Sequence, residues 1–268
     1  MQIVVTELRT YPVKGFRGVP SASAEVTPCG LEADRRWMVV DANGKFITQR
    51  IINAMATITA TVDGVALLLA ADGAPDLLVA ASTLLPEVTV NVWGHQVQAV
   101  DCGDGAAEWL QARLGRPCRL AYMADPRARP VDPAYGGLPG DHVSFADGLP
   151  ILLTNMASLA DLNTRIADGI PMARFRPNIV VNGDVPWAED DWQNLQIGSL
   201  RFRANGSCPR CAVSTIDQMT GVRSPDNEPI RALGGFRRDV TGQVLFGRYL
   251  TPLDGGTIRV GDALSVIR

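Results

Sequence analysis

Two cysteines three positions apart, in Cys208-Pro209-Arg210-Cys211, are the sharpest chemical signal in this chain of 268 residues. A thiolate is the reactive and metal-binding form of cysteine, and the Arg210 guanidinium between the pair favours it. Three chemistries compete for the spacing. A redox dithiol would open a helix after a strand. Here Ala212-Val-Ser-Thr-Ile216 reads as a strand, which counts against it. Half of a zinc site would need a second CxxC or an HxxxH, and the histidines are His95 and His142, far apart in sequence. The third chemistry is one thiolate ligating a soft metal whose other ligands arrive with a cofactor. Two ordinary buried cysteines at a strand end fit the same residue types.

Basic residues beside apolar strand starts are the second signal. Lys14 follows Tyr11-Pro12-Val13, Arg35 lies in Asp34-Arg35-Arg36-Trp37, and Arg176 lies in Arg174-Phe175-Arg176-Pro177-Asn178. With Arg210, they could converge on an anion, since guanidinium groups bind phosphate bidentately. Solvated charge at a strand end is the commoner fate of any single arginine, so only the combination with the cysteines lifts the functional reading. Phe145-Ala-Asp-Gly-Leu-Pro150 is a turn whose amides could meet an anion, or a plain turn.

Composition bounds the rest. Lys plus Arg is 25 and Asp plus Glu is 28, so 25 − 28 = −3. Such a balance gives no reason to expect a nucleic-acid or membrane partner, although a local basic pocket is compatible with it. Hydrophobic residues make up 46% and charged residues 20%, which excludes disordered and fibrous classes. Five cysteines are too few for a disulfide scaffold, and the odd count leaves a free thiol. Cys29, Cys102 and Cys118 read as packing. The N-terminus lacks the pattern of a secretory signal. Apolar stretches such as 65–71 are far too short for a membrane span. A soluble, cytoplasmic protein in a reducing compartment is expected.

The elements that must position these residues are mostly strands. Hairpins are predicted across Asp41–Gly44, across Asp63-Gly64 between 56–62 and 65–70, and across Trp93–His95. Asp104 is a predicted helix N-cap, with Ala106, Leu110 and Leu114 on one face and a stop at Gly115. Residues 124–141, rich in Pro, Gly and Asp, read as a loop or linker. Beyond it come a strand at 150–153, a helix over 156–166, strands at 179–181 and 200–203, a short helix over 228–233 and two strands in 255–267. The predicted class is α/β and predominantly β: a β-barrel-like unit over 1–123, then a second β-barrel with peripheral helices over 124–268.

The motifs resemble a known family. Tyr11-Pro-Val-Lys14, Gly30-Leu31, Asp34-Arg-Arg-Trp37, Phe46-Ile-Thr-Gln-Arg50, Phe145-Ala-Asp-Gly148, Phe175-Arg-Pro-Asn178, Cys208-Pro-Arg-Cys211, Phe246-Gly247, Tyr249 and Gly255-Gly-Thr-Ile-Arg-Val-Gly-Asp262 occur in this order over nearly the whole chain. The chain is similar to MOSC-domain proteins, named for the C-terminal domain of molybdenum-cofactor sulfurase, with their N-terminal β-barrel partner. Within them it most resembles the amidoxime-reducing component and bacterial relatives that reduce N-hydroxylated compounds.

The resemblance implies a molybdenum-molybdopterin cofactor, with Cys211 as the protein's ligand to the metal and Cys208 as a neighbouring, non-ligating position. It also implies pterin and phosphate contacts from Lys14, Arg35, Arg176, Pro209, Arg210 and Tyr249, and a further cofactor-binding turn at Asp147, Gly148 and Leu149. The substrate would be a small N-hydroxylated compound. The three remaining cysteines are too scattered for an iron–sulfur cluster of the chain's own. Electrons are therefore expected from a separate iron–sulfur or flavin protein. The alternative is a MOSC cofactor-binding or sulfur-carrier protein, with a persulfide on Cys211 or Cys208; the lack of an attached pyridoxal-phosphate desulfurase domain favours the reductase. One position departs from the pattern: Gly15 follows Lys14 where close relatives usually carry Ser.

Overall fold

The structure, a computed structural model, describes residues 2–64, 66–80 and 85–267. Its second half closes into a seven-stranded barrel. The staves run Ile179–Val181, Ile151–Asn155, Leu245–Pro252, Leu200–Pro209, Asn194–Ile197, Ala263–Ile267 and Ile3–Thr10, and the last pairs back to the first. Ile3–Thr10 thus comes from the opposite end of the chain. Closure removes the sheet edges that would otherwise stay unpaired. Inward-facing Val5, Leu153, Val181, Leu195, Phe202 and Leu250 fill the interior and are almost wholly buried.

The first half builds a five-stranded sheet in the order Glu87–Val92, His95–Asp101, Arg119–Tyr122, Trp37–Val40, Val13–Lys14. A three-stranded meander, Thr59–Asp63, Ala66–Ala70 and Leu77–Ala80, packs with the helix Asp104–Leu114 against one face. Side chains alternate along a strand, so Trp37 and Val39 enter that core while Met38 and Val40 enter another on the opposite face. Phe145, from the second half, fills that opposite core. Val13 pairs with Trp37 and Lys14 with Met38. Val13 is therefore in the meander core, and Lys14 turns to the side where Phe145 sits.

Several elements differ from the sequence reading. Residues 212–215 form a 3-10 turn, not a strand. The Ser214 hydroxyl donates to the Cys211 carbonyl and the Thr215 hydroxyl to Ala212, so local bonds curl a segment of strand-like composition. The strand before it runs on through Gly206 to Pro209, with irregular register between Ala204 and Gly206 and again between Ser207 and Pro209. Gly103 holds the helix cap position and Asp104 is the first helical residue. Asn53–Thr57 is a 3-10 turn ahead of the second hairpin, whose residue Val65 lies outside the described residues. The Asp41–Gly44 turn leads to a single bridge, Val40 to Phe46, rather than to a paired strand. The second helix stops at Asn163. The segment 124–141 is a loop as expected and mostly exposed, but it buries the side chains of Arg129 and Val131. No described helix is long and apolar enough to cross a membrane.

Candidate cofactor cleft

The two halves meet at a cleft of about 780 Å³. Lys14 and Arg35 line it from the first half; Asp147, Leu149 and Arg176 line it from loops of the second half. The strand end and turn that follow contribute Cys208, Pro209, Arg210 and Cys211, and Leu245–Pro252 contributes Tyr249. Gly148 is not part of the wall: a Cβ there would stand 3.2 Å from the Tyr135 ring, which covers it. His95 begins a hairpin strand and His142 bridges Pro130 in the loop, both away from the cleft.

Lys14 is 5% exposed and donates to the Phe145 carbonyl at 2.7 Å and to the Asp147 carboxylate. Burial pushes its ammonium down to about 8, against the opposing pull of Asp147. Desolvation raises the Asp147 carboxyl, but Lys14, Arg50 and the Trp93 indole outweigh it and hold the group well below the usual carboxylate range. Arg129 fixes the loop beneath this pair. It donates to the carbonyls of Ser144, Ala146 and Asp147 at 3.0, 2.6 and 2.9 Å.

Arg35 and Arg176 both have left-handed backbone, with φ of 51° and 56°. Such strain in non-glycine residues persists only where the surroundings enforce it. Here both guanidiniums lie over the Tyr11 ring, at 4.2 and 4.4 Å. Arg35 also donates to buried Asp34 and, at 3.0 Å, to Asn178. Arg176 donates to Gln218 at 2.8 Å. Burial lowers its pKa to about 10, against a partial pull from Tyr11.

The two cysteines differ. Cys208 is 3% exposed, with Arg210 donating to its sulfur at 2.9 Å and the Tyr249 hydroxyl in reach. Burial still pushes its thiol pKa up. Cys211 is half-buried, and its sulfur accepts a 3.0 Å hydrogen bond from Arg50. A soft thiolate open to a cleft can ligate a metal; a buried one with a raised pKa is held neutral.

Sequence reasoning assigned no role to Arg50, Gln49, Asn178, Gln218 or Arg129. Arg50, Gln49 and Asn178 stood in motifs already singled out, so a signal existed for them. Arg129 lay in a segment read as a linker, and Gln218 in no motif. Five basic side chains (Lys14, Arg35, Arg50, Arg176 and Arg210) and one carboxylate, Asp147, line the cleft. That excess, beside one accessible sulfur, fits an anionic ligand carrying a soft metal.

Comparison with known proteins defines the class. Residues 2–117 match the MOSC N-terminal beta barrel domain and residues 140–265 match the MOSC domain. The chain is 36% identical to mitochondrial amidoxime-reducing component 1 of Homo sapiens, over 98% of this chain and 82% of that protein. It is 34% identical to mitochondrial amidoxime reducing component 2 of Bos taurus, over 96% of this chain and 81% of that protein. The YUAD protein from Bacillus subtilis superimposes with a TM-score of 0.45 at 9% identity, over 98% of this chain and 94% of that one. The chain belongs to the MOSC-domain family that includes the amidoxime-reducing components.

Proposed function

We propose that this protein is a molybdenum-pterin oxidoreductase that reduces N-hydroxylated compounds, built of two units, 1–123 and 124–268, that share the cleft, with the strand Ile3–Thr10 of the first completing the barrel of the second. The observation that carries the reading is the accessible Cys211 sulfur beside a surplus of positive charge. Cys211 would ligate the metal. Lys14, Arg35, Arg176 and Arg210 would hold the phosphate, while Pro209, Tyr249, Leu149 and Asp147 shape the pterin's bed. When bound, the cofactor supplies two-electron oxygen-atom chemistry. Overall, the N–O bond of the hydroxylated substrate breaks, two electrons and two protons are taken up, and the N–H compound and water are released. The electrons come from a separate iron–sulfur or flavin protein. The chain's own contribution is orientation: hydrogen bonds already made to Arg35, Arg176 and Arg210 fix those groups before a ligand arrives. A reducing cytoplasm would keep the Cys211 thiol free.

The test is Cys211→Ser, expressed in a host that makes molybdenum cofactor. Metal analysis should find molybdenum in the parent and none in the variant, with the circular-dichroism melt unchanged. Parent-level molybdenum in the variant would overturn the ligand assignment. A reducible gain of one sulfur in the intact mass, with no metal, would point to the persulfide carrier.

A further inference from the structure

We propose that Arg50 is the substrate-anchoring residue of the cleft, its guanidinium receiving the oxygen of the N–OH group, with Trp93 and Asp147 holding it in place. This deepens the function proposed above and rests on that reading.

The other cleft cations are tied to protein groups, Arg176 by a single bond like that of Arg50 but from a buried side chain. Lys14 is bound to Phe145 and Asp147, Arg35 to Asp34 and Asn178, Arg176 to Gln218, and Arg210 to Cys208 and the Phe175 carbonyl. Arg50 is different. Its side chain is 30% exposed, against 7% for Lys14 and 13% for Arg35. Its Nη2 donates to Cys211, and no other hydrogen bond of its guanidinium is found among the described residues. A guanidinium carries five N–H donors and no acceptor. Arg50 therefore has spare donors beside the one accessible sulfur of the cleft.

The surroundings hold it there. Its guanidinium lies 5.0 Å from the centre of the Trp93 ring, and Asp147 Oδ2 is 3.9 Å from Nη2. Trp93 itself donates from its indole to Asp147 at 3.1 Å and packs on Phe46 at 5.0 Å. It does so from a hairpin tip with φ of 53°, strained for a tryptophan, and with 45% of its surface exposed. The ligand this fits is a compact group with a lone-pair-rich oxygen, as in an amidoxime or hydroxylamine. Negative charge gathers on that oxygen as the N–O bond breaks, and a fixed guanidinium stabilises it.

The experiment uses holoenzyme and benzamidoxime as the probe, with Arg50→Gln and Arg50→Lys. Molybdenum per chain, KM and kcat are measured, and direct binding is titrated by calorimetry. Benzamidine, which lacks the oxygen, is the control. Arg50→Gln should keep its molybdenum and bind benzamidoxime about tenfold to a hundredfold more weakly. Arg50→Lys should fall between, and benzamidine should bind no more weakly than to the parent. Unchanged benzamidoxime affinity, equal weakening of both compounds, or loss of molybdenum would overturn the assignment. If the parent binds benzamidoxime without reducing it, the proposed activity fails while the titration still decides Arg50. No binding to the parent overturns both.

Discussion

Gln49, which lines the cleft, and Gln218, 169 residues away in sequence, exchange two amide hydrogen bonds of 3.0 and 2.9 Å. The pair joins the two halves, and Gln218 Oε1 also accepts from Arg176. Gln218→Ala would leave the Gln49 Oε1 and one arm of the buried Arg176 guanidinium unpaired, while Gln49 Nε2 keeps its bond to the Gly15 carbonyl. It should cost about 3 kcal/mol in urea denaturation, with Gln218→Glu recovering part of the loss.

Arg129→Ala should cost about 3 kcal/mol or more, because three inward-facing carbonyls lose their donor together. Arg129→Lys should recover only part, since an ammonium lacks the planar fork. Limited proteolysis offers a second check: cleavage should rise in the 140–147 segment in both variants.

Lys14 makes anion binding sensitive to alkaline pH. Its folded pKa is about 8, so it loses charge as the pH rises through that value. Inorganic phosphate binding to the cofactor-free protein should weaken between about pH 7.5 and about 9. In Lys14→Arg that fall should flatten, because a guanidinium stays charged throughout.

Asp147 sets the acid side. Its folded pKa lies below the unfolded 3.8, so the stability it contributes is complete above that value and is lost as the pH falls through the folded one. The stability gap between the parent and Asp147→Asn should be full at pH 7, begin to shrink only below about pH 4, and narrow further as the pH falls toward the folded value. A gap that stays constant from pH 7 down to the lowest pH at which both proteins remain folded would show that the carboxylate charge is not its source.

Gly15 has φ of +87°, and a Cβ there would stand 2.9 Å from the end of the Met55 side chain. Gly15→Ser should cost about 1–2 kcal/mol in thermal unfolding from left-handed backbone strain. Adding Met55→Ala should relieve the contact without relieving the strain.

Much of this was legible in sequence because it is local. The Asp63-Gly64 and Trp93–His95 turns, the Ala106-Leu110-Leu114 helix face and the barrel-forming strands follow from period and turn chemistry. The segment 212–215 misled because β-branched composition says nothing of hydroxyls bonding back to nearby carbonyls. Arg129 stayed hidden because a Pro/Gly-rich loop gives no local sign of which side chain it will bury.

By itself the sequence determined a β-rich chain, one CxxC and a set of basic residues beside strand starts. The tertiary structure decided which of them meet. It separated Cys208 from Cys211 by burial, closed the barrel with the strand Ile3–Thr10, and brought Arg50 onto a sulfur 161 residues away. The physical reason is that side-chain alternation is a property of one strand, whereas strand pairing is a contest among distant segments settled by the shared core. Lys14 carries both lessons: its neighbours in sequence fixed which way it points, and the packing of Phe145 fixed what it meets there.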